Sequence, residues 1–183
     1  PKVRIMEVCG THTHEIFRLG IRKLLPEQVE LISGPGCPVC VTPVSFIDEA
    51  IYLALEKGVT ICTFGDLVRV PGTKMSLAGA REQGADIHVV YSPADAEKYA
   101  GEHPDKQVTF LSVGFETTTP ASCLSVKAAK ENGLDNYSIL TANKTMPQAY
   151  ESLKGSADVF LYPGHVNAIT GTRLCEALAE EGV

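Results

Sequence analysis

Short runs of β-branched, apolar residues alternate with amphipathic segments along the whole chain, and this alternation limits the folds open to it. The strand candidates are Val3–Val8, Val29–Ile32, Val59–Phe64, Ile87–Tyr91, Val108–Val113, Tyr137–Thr141 and Val159–Tyr162. Between them lie helix candidates Glu15–Leu25, Phe46–Lys57, Lys74–Gln83, Ala94–Glu102, Ser122–Asn132, Gln148–Lys154 and Thr172–Glu180. Strands that are apolar on both faces, each followed by a helix, form parallel sheets covered by helices. A strand–helix unit recurs every roughly 20–30 residues, the length such a crossover needs. Ser45 is placed to cap the second helix with Asp48 three residues on, and Gly58 and Gly133 fall where helices should stop.

The expected fold class is therefore α/β: two Rossmann-like lobes, each a parallel sheet flanked by helices. The polar segment Ser92–Lys106 is read as the link between them. That places residues 1–92 in a first lobe of four strands and 93–183 in a second lobe of three, incomplete at its C-terminal end. The chain opens on Pro1 rather than Met and ends in a helical pattern without a stop, so it reads as a piece of a longer protein.

Composition narrows the function classes. With 16 Lys+Arg against 22 Asp+Glu the net charge is -6, which leaves no basic footprint for nucleic acid. Apolar stretches such as Ala50–Leu55 are too short to span a bilayer. No secretion signal opens the chain, so the six cysteines are expected as thiols in a cytoplasmic protein, not as structural bridges. Cys62, Cys123 and Cys175 stand among apolar neighbours and read as small buried hydrophobes. Cys9, Cys37 and Cys40 stand instead among glycines and prolines.

Four unusual loops follow strands. They are Cys9-Gly-Thr-His-Thr-His14, Gly34-Pro-Gly-Cys-Pro-Val-Cys40, Gly114-Phe-Glu-Thr-Thr-Thr-Pro120 and Pro163-Gly-His-Val166. The carboxyl edge of a parallel sheet is where loops and helix N-termini converge on ligands, and all four are expected on one such edge. Cys9 is expected near the N-terminus of the next helix, where amides and the helix dipole stabilise a thiolate. Thr11, His12, Thr13 and His14 supply donors beside it, with Thr13 the expected helix cap. Cys37 and Cys40 are close enough for a disulfide or shared metal ligation. Three readings follow: a redox pair, two buried thiols, or half of a zinc site that Cys9 and His12 complete. Glu116 can accept a proton or merely stabilise a helix start. His165 can shuttle a proton, bind a ligand or only donate a hydrogen bond.

Five stretches, taken in order, resemble the HypD family of [NiFe]-hydrogenase maturation factors. They are Met6-Glu-Val-Cys-Gly-Thr-His-Thr-His-Glu15, Gly34-Pro-Gly-Cys-Pro-Val-Cys-Val-Thr-Pro43, Thr63-Phe-Gly-Asp-Leu-Val-Arg-Val-Pro-Gly72, Val113-Gly-Phe-Glu-Thr-Thr-Thr-Pro120 and Pro163-Gly-His-Val166. The resemblance runs over essentially the whole chain. It implies a scaffold on which the Fe(CN)2CO unit is assembled, with a small chaperone, HypC, and a cyanide donor, HypE, as partners. Cys9 matches the family's iron-binding cysteine, and Cys37 and Cys40 its redox dithiol. Thr11 and His12 stand beside the iron as donors; Glu116 and His165 match motif positions around the same cleft. The family also carries a [4Fe–4S] cluster in a C-terminal region beyond the end of this chain. Asn143-Lys-Thr-Met-Pro-Gln148 is more polar than the family leads one to expect, and is read as altering the second lobe's surface away from the thiols. Readings from other classes are a thiol-disulfide oxidoreductase and a zinc-stabilised binding module.

Overall fold

The computed structural model describes residues 2–182. Seven strands, β1–β7, form two separate parallel sheets flanked by eight α-helices, α1–α8, among the described residues. Two compact units result, one from Pro1–Val41 with Lys144–Val183, the other from Thr42–Asn143.

In the first unit, β1 (Val3–Glu7) lies between β2 (Val29–Ser33) and β7 (Val159–Leu161). Its helices are α1 (Gly10–Arg18), α6 (Met146–Ser152), α7 (Gly164–Thr170) and α8 (Arg173–Glu180). The register pairs Glu7 with Ser33 on one side and with Leu161 on the other, so three strand ends finish level.

The second unit orders its strands β4 (Ile87–Val89), β3 (Thr60–Thr63), β5 (Val108–Ser112), β6 (Tyr137–Thr141). Its helices are α2 (Val44–Lys57), α3 (Leu77–Glu82), α4 (Pro93–Glu102) and α5 (Thr119–Glu131). The central strands β3 and β5 are buried at every position, as a parallel sheet covered on both faces requires. Cys62, Val108 and Phe110 pack there against Ala96 and Ala100 of α4, with Phe64 edge-on to Phe110.

The α/β class and the parallel sheets are as expected, but the partition is not the expected 1–92 and 93–183. The segment Ser92–Lys106 joins β4 to β5 within one sheet: Ser92 caps α4, its hydroxyl accepting from the Asp95 amide. The chain leaves the first sheet after β2, builds the whole second sheet, and returns to set β7 beside β1. Strand spacing along a sequence carries no information on that return. Residues 144–148 also change unit: α6 belongs to the thiol-bearing one, and Asn143 stays in the other. Ser45 lies inside α2, whose cap position is Pro43, and Asp48 instead accepts from the amide and hydroxyl of Thr73.

Candidate functional site

Three of the four singled-out loops follow β1, β2 and β7, and so leave the carboxyl edge of one three-stranded sheet. Val8 extends the β1 ladder through its amide to the Leu161 carbonyl (3.3 Å), and Cys9 then breaks it. Cys9 has φ 112° and ψ 126°, the one positive φ outside glycine among the described residues. Holding a side-chain-bearing residue there costs about 1–3 kcal/mol. The turn starts α1 at Gly10, five residues before the expected start, with the Cys9 carbonyl accepting from the His12 (3.0 Å) and Thr13 (3.4 Å) amides. Thr13 therefore lies within the helix and does not cap it. The Cys9 thiol makes no capping bond either; it is half-buried at the N-terminal end of α1.

The Gly34-Pro-Gly36 loop packs backbone on backbone against this turn. The Gly34 amide donates to the Glu7 carbonyl (2.9 Å), and the Gly10 amide donates to the Gly36 carbonyl (3.2 Å). A Cβ on Gly36 would fall 2.5 Å from the Gly10 nitrogen and 2.9 Å from the Cys9 carbonyl carbon. One on Gly34 would fall 2.7 Å from the Met6 side chain. The two glycines are what bring the Cys37–Cys40 segment onto the Cys9 turn.

Cys37 and Cys40 are joined by a tight turn, the Cys40 amide donating to the Cys37 carbonyl (3.0 Å). Both are free thiols, Cys37 half-buried and Cys40 exposed. Hydrogen bonding to Cys37, then its charge, pushes the Cys40 thiol above the ordinary range. They open on a groove of roughly 780 Å3 lined also by Gly10, Thr13, Phe17 and Gly36, with Cys9 and His12 outside its lining. Phe17 is 82% exposed.

The remaining expected residues separate. Thr11 is exposed on the first turn of α1. His12 keeps its Nδ1 shielded from solvent with no hydrogen-bond partner among the described residues. His165, expected in a loop, is exposed in the first turn of α7: Pro163 occupies the cap position and Val166 returns its amide to Pro163 (3.0 Å). Glu116 follows β5 and so stands at the carboxyl edge of the other sheet, not on the shared edge the sequence implied. Its turn is closed by the Thr118 and Thr119 amides on the Phe115 carbonyl (both 3.1 Å), and one of its carboxylate oxygens is shielded from solvent. No three His, Cys, Asp or Glu side chains converge as a metal site among the described residues.

The other cysteines divide. Cys62 is fully buried, and burial, then the charge of Asp86, pushes its thiol up to about 12. Cys123 is exposed rather than buried. Cys175 is half-buried and donates to the Asn167 side-chain oxygen (3.2 Å).

Sequence reasoning passed over Glu7, which is fully buried beside Cys9 and accepts from Arg22 (2.5 Å). Arg22 also donates to the Leu31 carbonyl (3.1 Å) and the Ser33 hydroxyl (3.3 Å), tying the turn after α1 to β2. A carboxylate closing a strand that is apolar at three of its five positions was the available signal.

The model of the HypD family, described as the hydrogenase formation hypA family, matches residues 1–182. The chain is 46% identical to the hydrogenase maturation factor HypD of Cupriavidus necator, over 98% of its own length and 50% of that protein. It is 45% identical to the HypD of Escherichia coli, over 98% of the chain and 49% of that protein. A putative hydrogenase expression/formation protein of Methanocaldococcus jannaschii is 43% identical over 96% of the chain and 51% of its own length. The chain thus spans about half the length of the curated relatives it matches.

Proposed function

The chain belongs to the HypD family, and from that premise we propose that it serves hydrogenase maturation as a scaffold for the Fe(CN)2CO unit. The iron is cargo and Cys9 its in-chain ligand. The observation that carries this reading is the Gly10–Gly36 backbone bond, which seats a pair of reduced thiols against the turn that holds a third at a helix N-terminus. Low-spin iron with cyanide and carbonyl ligands suits a soft thiolate donor. Thr11, His12 and the loop amides are the donors available to orient cyanide nitrogens. Cys37 and Cys40 are the thiols placed to cycle between dithiol and disulfide beside that site, two electrons and two protons passing to or from an exogenous redox partner with each turn. His165, which follows β7 on the same sheet edge, is the histidine available to handle protons there.

A single thiolate leaves most of the iron's coordination open, so a partner has to complete it. HypC fills that role, docking on the thiol edge over Phe17, which is 82% exposed and lines the Cys37–Cys40 groove. HypE delivers cyanide. The work is cytoplasmic, where thiols stay reduced. The [4Fe–4S] cluster of the family is assigned to none of these residues. A zinc module would need four converging ligands, and the described residues bring not even three together. No helix among the described residues is long and apolar enough to cross a membrane.

The test is anaerobic co-purification with the chaperone, measuring iron per chain and mapping cross-links from Phe17 replaced by a photoreactive residue. Iron should accompany the complex and the cross-links should fall on the chaperone. Cross-links confined to the opposite ends of the strands, or an iron-free complex, would contradict the assignment.

A further inference from the structure

The groove beside Cys37 and Cys40 differs in charge from the chain around it. Arg22 and His14 line it and no Asp or Glu does, in a protein of net charge -6. Its volume of roughly 780 Å3 lies in the range of small-molecule sites.

Arg22 is fixed in place on this groove. Its Nη1 donates to the Leu31 carbonyl, and its Nη2 to the Glu7 carboxylate and the Ser33 hydroxyl. These bonds use three of the five guanidinium N–H groups. The Nε–H and one hydrogen on Nη1 have no partner among the described residues. Glu7 is fully buried and does not line the groove, whereas the Arg22 side chain is 46% exposed. A molecule in the groove therefore meets the guanidinium, not the carboxylate that anchors it. Cys40 is exposed and Cys37 half-buried, so an incoming sulfur reaches Cys40 first.

We propose that this groove receives a low-molecular-weight disulfide bearing a carboxylate, which Arg22 seats against Cys40. The proposal rests on the reading of Cys37 and Cys40 as a redox pair and names the class of its exchange partner. The Cys40 thiolate attacks one sulfur of the disulfide and releases a first small thiolate. The Cys37 thiolate then attacks the Cys40 sulfur, closes the Cys37–Cys40 bond and releases a second. The two protons given up by the cysteines pass to the two small thiolates. The dithiol loses two electrons and the small disulfide gains them; the corresponding anionic thiol drives the reverse. Phe17 also belongs to the chaperone surface proposed above, so the exchange takes place before the chaperone docks.

The test measures oxidation of the reduced, chaperone-free chain by dithiodipropionate (anionic), hydroxyethyl disulfide (neutral) and cystamine (cationic). Reactions are quenched with acid, and peptide mapping follows closure of the Cys37–Cys40 bond. A free peptide of residues 34–40 corrects for the intrinsic reactivity of each disulfide. The net negative charge of the chain by itself favours the cationic reagent. The proposal predicts the opposite order, with the anionic reagent about two- to fivefold faster than the neutral one at low salt. High salt should erase the difference. Glu7→Gln with Arg22→Met removes both halves of the buried pair; it should abolish the anionic preference and leave the neutral rate unchanged, while Glu7→Gln alone keeps the preference. Equal corrected rates, a cationic preference, or an anionic preference that survives in the double variant overturns the proposal. The wild-type comparison decides by itself even if the double variant fails to fold. A dithiol that resists all three reagents overturns the redox reading and this proposal with it, whereas equal rates overturn this proposal alone. Iron content of the chaperone complex bears on neither result.

Discussion

Gly36→Ala tests whether the two thiol loops are held by direct backbone contact. The added Cβ would lie 2.5 Å from the Gly10 nitrogen, 2.9 Å from the Cys9 carbonyl carbon and 3.1 Å from the Gly10 Cα. All three atoms are backbone, so no side chain can swing aside, and the loops must part by roughly 1 Å to restore ordinary contact. Overpacking of this kind costs about 1–3 kcal/mol. The parting also breaks the 3.2 Å bond from the Gly10 amide to the Gly36 carbonyl, worth about 1 kcal/mol. Alanine restricts the unfolded chain and returns about 0.4–1 kcal/mol. The net loss is about 1–3.5 kcal/mol, or roughly 3–12 °C in Tm for a chain of this size. Gly164→Ala is the control within the same unit: its Cβ meets nothing within 4 Å, at the first residue of α7. It should be neutral or stabilising by up to about 1 kcal/mol. Urea and thermal unfolding of the two variants decide the matter. If Gly36→Ala is as stable as Gly164→Ala, the loops are not held as described.

Oxidation of the chain should remove two hydrogens by mass, link Cys37 to Cys40 on peptide mapping, and reverse with dithiothreitol while Cys9 stays alkylatable; a disulfide to Cys9 would refute the division of roles. Arg22→Met strands the buried Glu7 carboxylate and should cost about 3 kcal/mol in urea unfolding; adding Glu7→Gln should recover part of it, and strict additivity would show that the pair is not coupled. Asp86 is pushed up by burial, but bonds from Lys106, Thr60 and His88 outweigh this and hold it at about 2. Its folded value lies below the unfolded one, so its stabilisation is present above about pH 4 and is lost as pH falls toward 2. Asp86→Asn should cost about 1 kcal/mol at pH 7, given the group's partial exposure, and should flatten the stability profile between those limits; an unchanged profile would contradict the network.

The strands were legible because β-branched and apolar residues cluster in them between turn residues: the edge strand Tyr137–Thr141 agrees end to end, and the other strands agree within one or two residues. The meeting of the Cys9 and Cys37 loops was legible too, since both follow strands and consecutive parallel strands usually pair. The starts of α2, α4, α6 and α8 agree within one or two residues, but the start of α1 was not legible. Gly10, Thr11 and His12 are poor helix formers, and α1 begins there because the strained Cys9 turn and the Gly36 carbonyl fix the chain direction, a contact 26 residues away in sequence. Gly164 and His165 concealed α7 for the same reason of weak propensity. The return of β7 to β1 depends on which strands pair, which periodicity does not encode, so Glu116 was placed on the wrong sheet and α6 on the wrong unit.

The central claim is that Cys9 carries the iron, and infrared spectra of the anaerobic chaperone complex test it most directly. The wild-type complex should show cyanide and carbonyl stretches, and Cys9→Ser should abolish both while the chain stays folded and bound to the chaperone, since an alkoxide does not form at neutral pH to replace the thiolate. Undiminished bands and full iron content in the Cys9→Ser complex would contradict the account.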